Sequence, residues 1–266
     1  MVRRMRLDTE LVRRGLARSR EQAVDLITAG RVAVSGQTAA KAATQVGQDA
    51  AITIAEAGTA PDYVSRGGRK LAGALAVFTG LTVAGRRCLD AGASAGGFTD
   101  VLLRAGAAQV VAVDVGYGQL AWALRTDDRV TVLDRVNVRQ LTPEQVAPAP
   151  SLVTADLSFI SLSLVLPALV ACAAPDADFV LLVKPQFEVG KGKVGAGGVV
   201  RDPAQRAAAV MSVAAAASEL SLGAAGITAS PLPGPSGNVE YFLWLRHGAP
   251  PLDSAALQQA ITKGPH

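Results

Sequence analysis

The residues best placed to do chemistry begin in CLDAGASAGGFTDVLL, residues 88–103. Gly92-Ala-Ser-Ala-Gly-Gly97 has the G-x-x-x-x-G spacing of a phosphate-cradling loop, yet Phe98 stands where such loops continue with lysine. A nucleoside triphosphate would miss that lysine. The glycines at 92, 96 and 97 do not fit the G-x-G-x-x-G spacing of dinucleotide sites either. S-adenosylmethionine fits better, because it carries ribose, adenine and an amino acid but no phosphate. Glycines still let backbone approach it closely. Asp90 would repel a phosphate but can serve an amino-acid ammonium, directly or through water. Asp114, about 20 residues further on, suits ribose hydroxyls by the geometry of dinucleotide sites. The candidate cofactor residues are therefore Asp90, Gly92, Ser94, Gly96, Gly97, Phe98, Asp114 and Asp134, with Phe98 free to pack. The bland alternative is that the glycines only shape a tight turn.

A second set is Lys70, Asp156, Lys184 and Glu240. Two lysines and two acids around one site suit methylation of a hydroxyl. A ribose 2′-hydroxyl is a weak acid and must lose its proton as the methyl arrives. A lysine can take that proton only if its pKa falls from about 10.4 towards neutrality, which burial and a second ammonium both favour. Asp156 and Glu240 would orient the lysines and hold the ribose, and in-line placement supplies most of the rest. The alternative is a set of salt bridges rimming a cleft. Amine methylation is less suited, since ADLSF replaces the Asn/Asp-Pro-Pro-aromatic stretch expected at the fourth strand. A carbon-5 pyrimidine methylase needs a nucleophilic cysteine, and Cys172 lies in apolar LVACAAP. Cys88 and Cys172 show no metal-ligand spacing, so no metal is expected and both read as buried small hydrophobes.

The elements that must position these residues alternate. RKLAGALAVF has helical spacing and carries Lys70 in its first turn; RRCLDAG is a strand into the glycine loop, and FTDVLLRAG the helix after it. QVVAVDVG ends in Asp114, RVTVLD in Asp134, SLVTADLSF holds Asp156, and DFVLLVKP ends at Lys184. A long helix over about 203–220 precedes the closing strands GITASPLPG and EYFLWLR. This alternation predicts an α/β fold with a Rossmann-like, doubly wound parallel sheet, whose ligands sit at the carboxyl ends of strands. Tyr117 and Trp122 follow Asp114; they either line the cofactor pocket or, for Trp122 above all, pack in the core. FEVGKGKVGAGGVVRDP, residues 187–203, is either a lid over RNA, with Lys191, Lys193 and Arg201 on phosphates, or a surface loop.

Residues 1–55 hold 9 Lys/Arg and 5 Asp/Glu, while the remainder holds 17 of each, so the whole net charge of +4 sits in the N-terminal fifth. A basic end suggests nucleic acid or an anionic membrane surface. The opening MVRRMRLDTELVRRG has no apolar core and is no secretory signal. The uncharged run Phe159–Pro175 is short for a span and predicts a buried helix, so a cytoplasmic protein without a membrane partner is expected. Residues 6–30 read as two short helices, with Gly15 and Gly30 as stops and Ser19-Arg-Glu-Gln22 as a capping box. RVAVSGQTAAK and AAITI read as strands. Arg4, Arg6, Arg14, Arg18, Arg20 and Arg31 are candidate RNA contacts, since phosphate positioning uses clustered guanidinium groups. A solvated basic face is the alternative.

Two resemblances follow from these motifs. R-L-D-x-x-L, G-L-A-x-S-R-x-x-A and L-I-x-x-G-x-V-x-V-x-G over residues 5–55 resemble the S4 RNA-binding domain, a small α+β module that docks structured RNA. SRGGRK, LDAGASAGGFTDVLL, VDVGYGQL, ADLSFISL, VKPQFEVGK and SPLPGPSGNVEYFLWL follow in that order. Behind an S4 domain they resemble the TlyA family of ribosomal RNA 2′-O-methyltransferases, whose members also carry a haemolysin label. The resemblance implies cytidine 2′-O-methylation in RNA of one or both ribosomal subunits, with S-adenosylmethionine as donor and ribosomal RNA or subunits as partner. The Lys-Asp-Lys-Glu tetrad of related enzymes falls on Lys70, Asp156, Lys184 and Glu240. The glycine-rich GGRK leaves the placement of Lys70 the least determined of the four. The implied domains are 1–55 (S4-like), 56–64 (linker) and 65–266 (methyltransferase). A non-catalytic ribosome-assembly factor is one rival. A membrane-lytic protein is another, disfavoured by the lack of a span, a signal or a strongly amphipathic basic helix.

Overall fold

The computed structural model describes residues 4–28, 31–35, 37–39, 41–47, 49–54, 63–190, 194–234 and 236–264. The chain divides into two compact units, Met1–Arg66 and Gly67–His266. Of the expected linker 56–64, only residues 63 and 64 are described; Gly30 also lies outside the described residues.

In the first unit, β1 (Arg4–Arg6), α1 (Leu7–Arg13), α2 (Arg20–Thr28), β2 (Val32–Val34), β3 (Gln37–Thr38), β4 (Gln45–Gly47) and β5 (Ile52–Ile54) follow one another. Strand β1 pairs with β4, and a second sheet has the order β3-β2-β5. Half of the expected capping box forms: Ser19 Oγ accepts from Gln22 N at 3.1 Å, but the Gln22 side chain accepts from Arg18 N at 2.7 Å, one residue before the N-cap. Gly15 takes φ +69° just past α1, where a residue with a Cβ is disfavoured. Leu7, Leu11, Ala23, Ile27, Val32 and Val46 form the core. The β1–β4 pair was not expected from sequence, because three-residue strands are too short to show alternation.

The second unit contains α3 (Arg66–Val77), β6 (Arg87–Ala91), α4 (Gly97–Arg104), β7 (Gln109–Asp114), α5 (Trp122–Arg125), β8 (Val130–Asp134) and α6 (Pro143–Val146). Then come β9 (Leu152–Ala155), α7 (Leu166–Cys172), β10 (Asp178–Val183), α8 (Pro185–Glu188), α9 (Pro203–Glu219), β11 (Leu222–Ala229), β12 (Tyr241–His247) and α10 (Ser254–Lys263). The sheet order is β11-β12-β10-β9-β6-β7-β8. Alternate strand residues such as Phe179, Leu181, Tyr241 and Leu243 pack with α7, α9 and α10. The opposite face carries Phe242 against Phe98 of α4, and Trp244 against Phe78 beyond α3. Both faces are covered, which is why the central strands read as continuous apolar runs.

The sheet is mixed, which corrects the all-parallel expectation. Strand β12 runs antiparallel to both β10 and β11. Residues 230–240 between β11 and β12 are Pro- and Gly-rich and too few for the crossover a parallel return needs, so the chain reverses. The run Phe159–Pro175 is also less regular than expected. Only Leu166–Cys172 is α-helical, and Phe159 is 91% exposed.

Candidate functional site

The reversal of β12 sets the site. An antiparallel strand starts at the edge where parallel strands end. Val183 pairs with Tyr241, so Lys184 and Glu240 leave the ladder side by side. Ala91 pairs with Ala155, which puts Gly92 next to Asp156, and Asp156 N donates to Ala91 O at 3.0 Å. Five of the six acids and lysines picked out at strand ends thus share one edge, and Asp90 lies one residue inside it.

Lys70 sits a full turn inside α3 rather than in its first turn, since the helix starts at Arg66. It is buried, and its Nζ meets Glu240 Oε2 at 2.5 Å. Lys184 Nζ meets Asp156 Oδ1 at 2.6 Å and donates to Ser158 Oγ at 3.0 Å. The pairs differ in access: side-chain exposures are 5% and 1% for Lys70–Glu240, but 10% and 22% for Lys184–Asp156. The second pair is therefore the more accessible of the two. Glu240 Oε1 is buried without a hydrogen-bond partner, an acceptor suited to a hydroxyl donor.

The glycine loop ends β6 and opens α4. Gly92 has φ +86°, and a Cβ there would lie 2.6 Å from the Asp156 carbonyl oxygen. Gly96 has φ +98°, and its Cβ would lie 2.3 Å from Leu124. Both positions favour glycine for conformation, and Gly92 also demands it for space, since its neighbour there is backbone. Gly97 is the first residue of α4, and Phe98 is buried against Phe242. Asp114 closes the loop: its carboxylate accepts from Ser94 N at 2.8 Å and Gly116 N at 2.7 Å. Asp134 pairs with Arg125 at 2.9 Å and accepts from Gly118 N at 3.3 Å. Asp90 is fully buried; it accepts from Thr99 Oγ1 at 2.7 Å and lies 3.4 Å from Thr154 Oγ1. Burial pushes its carboxyl up to about 7 against the Thr99 hydrogen bond, with the Asp156 charge adding to the rise. In this geometry Asp90 braces the start of α4 from below.

This donor set fits S-adenosylmethionine. A glycine-rich backbone turn lies at the end of β6, carboxylates end β7 and β8, and the lysine position of a phosphate loop is filled by a packed phenylalanine.

Sequence reasoning missed several neighbours. Ser158 and Thr99 are polar residues within two positions of recognised motif residues, and that proximity was the available signal. Trp122, expected in the core, is 77% exposed. Helix α5 is only one turn long, and Leu120 and Leu124 fill its inward positions. Tyr117 is also exposed, with the Arg135 guanidinium 4.2 Å above its ring. In the segment 187–203, Lys191 and Lys193 lie outside the described residues and Arg201 is exposed. Asn238 pins its end by accepting from Val200 N at 2.9 Å and donating to Gly198 O at 2.8 Å.

In the N-terminal unit the candidate arginines are partly committed. Arg6 and Arg20 both grip buried Asp8, at 2.9 and 3.0 Å, while remaining 45% and 64% exposed. Arg14 holds Glu10 at 2.7 Å and Ala50 O at 2.8 Å, which makes it a brace more than a free hand. Arg18 is exposed and Arg31 half-buried; Arg4 starts β1, and its side chain is outside what is described.

Known proteins resemble this chain over both units. The FtsJ-like methyltransferase family matches residues 63–247, and the S4 domain matches residues 5–52. The 16S/23S rRNA (cytidine-2′-O)-methyltransferase TlyA of Mycobacterium tuberculosis is 61% identical, covering 100% of both chains. Hemolysin A of Brachyspira hyodysenteriae is 37% identical, over 89% of this chain and 98% of that one. A solved structure from Streptococcus thermophilus, provisionally labelled a hemolysin, superposes with a TM-score of 0.77 at 37% identity, covering 99% and 96% of the two chains. Among the described residues no helix is long and apolar enough to cross a membrane.

Proposed function

This chain belongs to the TlyA family, whose FtsJ-like methyltransferase domain follows an S4 domain, and on that premise we propose that it methylates a cytidine ribose 2′-hydroxyl in ribosomal RNA. The observation that carries the reading is the Lys184–Asp156 pair beside the buried Lys70–Glu240 pair at one sheet edge. The whole-length relative acting on 16S and 23S RNA supports ribosomal RNA of one or both subunits as substrate.

S-adenosylmethionine supplies an electrophilic methyl group when bound. Gly92, Ser94, Gly96 and Gly97 would line it with backbone, Asp114 would hold the ribose hydroxyls, and Asp134 with Arg125 would close the far side. Asp90 acts indirectly, through Thr99 and the start of α4. Lys184 Nζ is the proton acceptor for the 2′-hydroxyl: Asp156 and Ser158 occupy two of its directions and leave one for substrate. Lys70 and Glu240 hold the ribose, with Glu240 Oε1 as the open acceptor. Exposed Phe159, tilted against Phe187 with ring centroids 5.1 Å apart, offers a face for a base lifted out of its helix. The outward guanidinium faces of Arg6, Arg18 and Arg20 would meet RNA phosphates.

The test uses ribosomal subunits lacking the modification, incubated with pure protein and S-adenosylmethionine and mapped by nuclease digestion and mass spectrometry. A new 2′-O-methyl cytidine, absent with Lys184→Ala, is the expected result. A methyl group on a base would overturn the tetrad chemistry. Demonstrated cofactor binding without any methyl transfer would favour the assembly-factor reading.

A further inference from the structure

The catalytic pair Asp156–Lys184 sits just past two strand ends, on residues 156–162 after β9 and on Lys184 at the start of the one-turn helix α8 after β10. Neither belongs to the sheet ladder at that point, so something else must fix their separation. Beyond the Lys184 contacts to Asp156 and Ser158, they are joined a second time by Glu188. Its Oε2 accepts from Ser161 Oγ at 2.5 Å and its Oε1 accepts from Leu162 N at 2.9 Å. Ser161 is itself braced, with its Oγ 2.7 Å from Ser163 Oγ. The ring of Phe187, the neighbour of Glu188, lies against that of Phe159, with centroids 5.1 Å apart and the planes tilted by 49°.

Phe159 shows that this closure bears load. It has φ +64°, in the left-handed region that a phenylalanine rarely adopts, and it is 91% exposed, so burial does not hold it there. A strained residue persists only when its surroundings over-determine it. The surroundings here are the Phe187 ring on one side and the Glu188 carboxylate, two residues on, at Ser161 and Leu162.

Resting on the proposed 2′-O-methylation, we infer that Glu188 is a positioning residue. Its carboxylate clasps the segment after β9 to the turn after β10, so that Asp156, Ser158 and Lys184 meet and Phe159 stays displayed. It touches neither substrate nor cofactor, and nothing else in the proposed mechanism uses it.

The test measures full-length wild type, Glu188→Ala and Ser161→Ala on unmodified subunits over cofactor concentrations from below KM to saturation, with rates normalised to folded protein. Glu188→Ala is expected to lower kcat about tenfold while leaving KM for the cofactor unchanged, as misplacing a reacting group does. Glu188→Gln, which keeps one acceptor, should recover part of the loss. The Ser161→Ala/Glu188→Ala double variant should be no worse than Glu188→Ala, because both remove one clasp. Amide exchange over residues 157–163 should rise in Glu188→Ala and not elsewhere on the sheet edge. An unchanged kcat, or equal losses in kcat and cofactor affinity, against an active wild type would overturn the positioning role alone. A wild type that makes no ribose methylation would overturn the proposed reaction and this role with it.

Discussion

Both units bury carboxylates, and they neutralise them in different ways. In the N-terminal unit Asp8 and Glu10 are about 1% exposed and each is gripped by two arginines. In the catalytic unit Asp156 and Glu240 each face one lysine, while fully buried Asp90 meets threonine hydroxyls and, among the described residues, no ion-pair partner. A buried charge is costly unless paired, so each arrangement is a solution to the same problem. An arginine keeps its proton under all ordinary conditions, whereas a lysine can give it up. The first unit therefore holds charge of fixed sign, suited to phosphate, and the second holds groups between which a proton can move. The basic N-terminus is also less spare than its charge count implies, because three of its candidate RNA contacts are already anchored to acids.

The strongest way to break this contrast is Lys184→Arg. The substitution preserves charge and can still pair with Asp156, but it removes the amine proposed above as proton acceptor. Methyl transfer should fall by about 10²–10⁴-fold, the range for loss of a positioned acid or base, with cofactor affinity by calorimetry nearly unchanged. Near-normal turnover would mean that positive charge alone suffices at position 184.

A smaller effect is an opposite dependence of stability on pH. Burial pushes Asp90 up to about 7, above its unfolded value near 4, so the folded catalytic unit binds the extra proton between these limits. Its stability should fall as pH rises through that window, by up to about 1.4 kcal/mol per pH unit. Both tryptophans, Trp122 and Trp244, lie in this unit, so urea unfolding followed by their fluorescence reads it selectively. Asp90→Asn should flatten the slope; an unaltered slope would remove Asp90 as its source. Hydrogen bonds from Arg13 and Arg14 bring Glu10 down to about 2, and the arginines hold Asp8 lower still. Their stabilisation of the N-terminal unit is complete above pH 4.5 and is lost as pH falls towards 2. Amide exchange over α1, corrected for intrinsic rates, should show that opposite sign.

The smallest effect separates two arginines of the first unit. Arg18→Ala should lower the salt dependence of ribosomal RNA binding by about one unit of log–log slope and leave stability alone. Arg14→Ala should barely change that slope but should weaken the unit that Glu10 and Ala50 tie together. The reverse pattern, read from binding titrations between low and moderate salt, would reassign the two.

Much of this was legible from sequence where local chemistry dictates structure. The glycine loop, the acids ending β7 and β8, Lys184-Pro185 after an apolar run and the Ser19–Gln22 cap all lie where their residue types place them. What escaped depends on partners distant in sequence. The direction of β12 follows from the shortness of residues 230–240 rather than from the strand's own residues. The burial of Lys70 beside Glu240 joins two ends of the domain. Trp122 looked like core because it is apolar, and only the brevity of α5 turns it outward. The arginine grips on Asp8 and Glu10 were hidden for another reason, since clustered charges of both signs read equally well as a solvated face.

The pairing of β10 with β12 makes the active edge a matter of counting. Glu240 reaches its place because Tyr241 sits opposite Val183. A slip of one step along that ladder would offer Val239 or Tyr241 instead and would turn every inward side chain of β12 to the wrong face. The ladder itself serves as a ruler, and the chemistry of the enzyme is legible only at one setting of it.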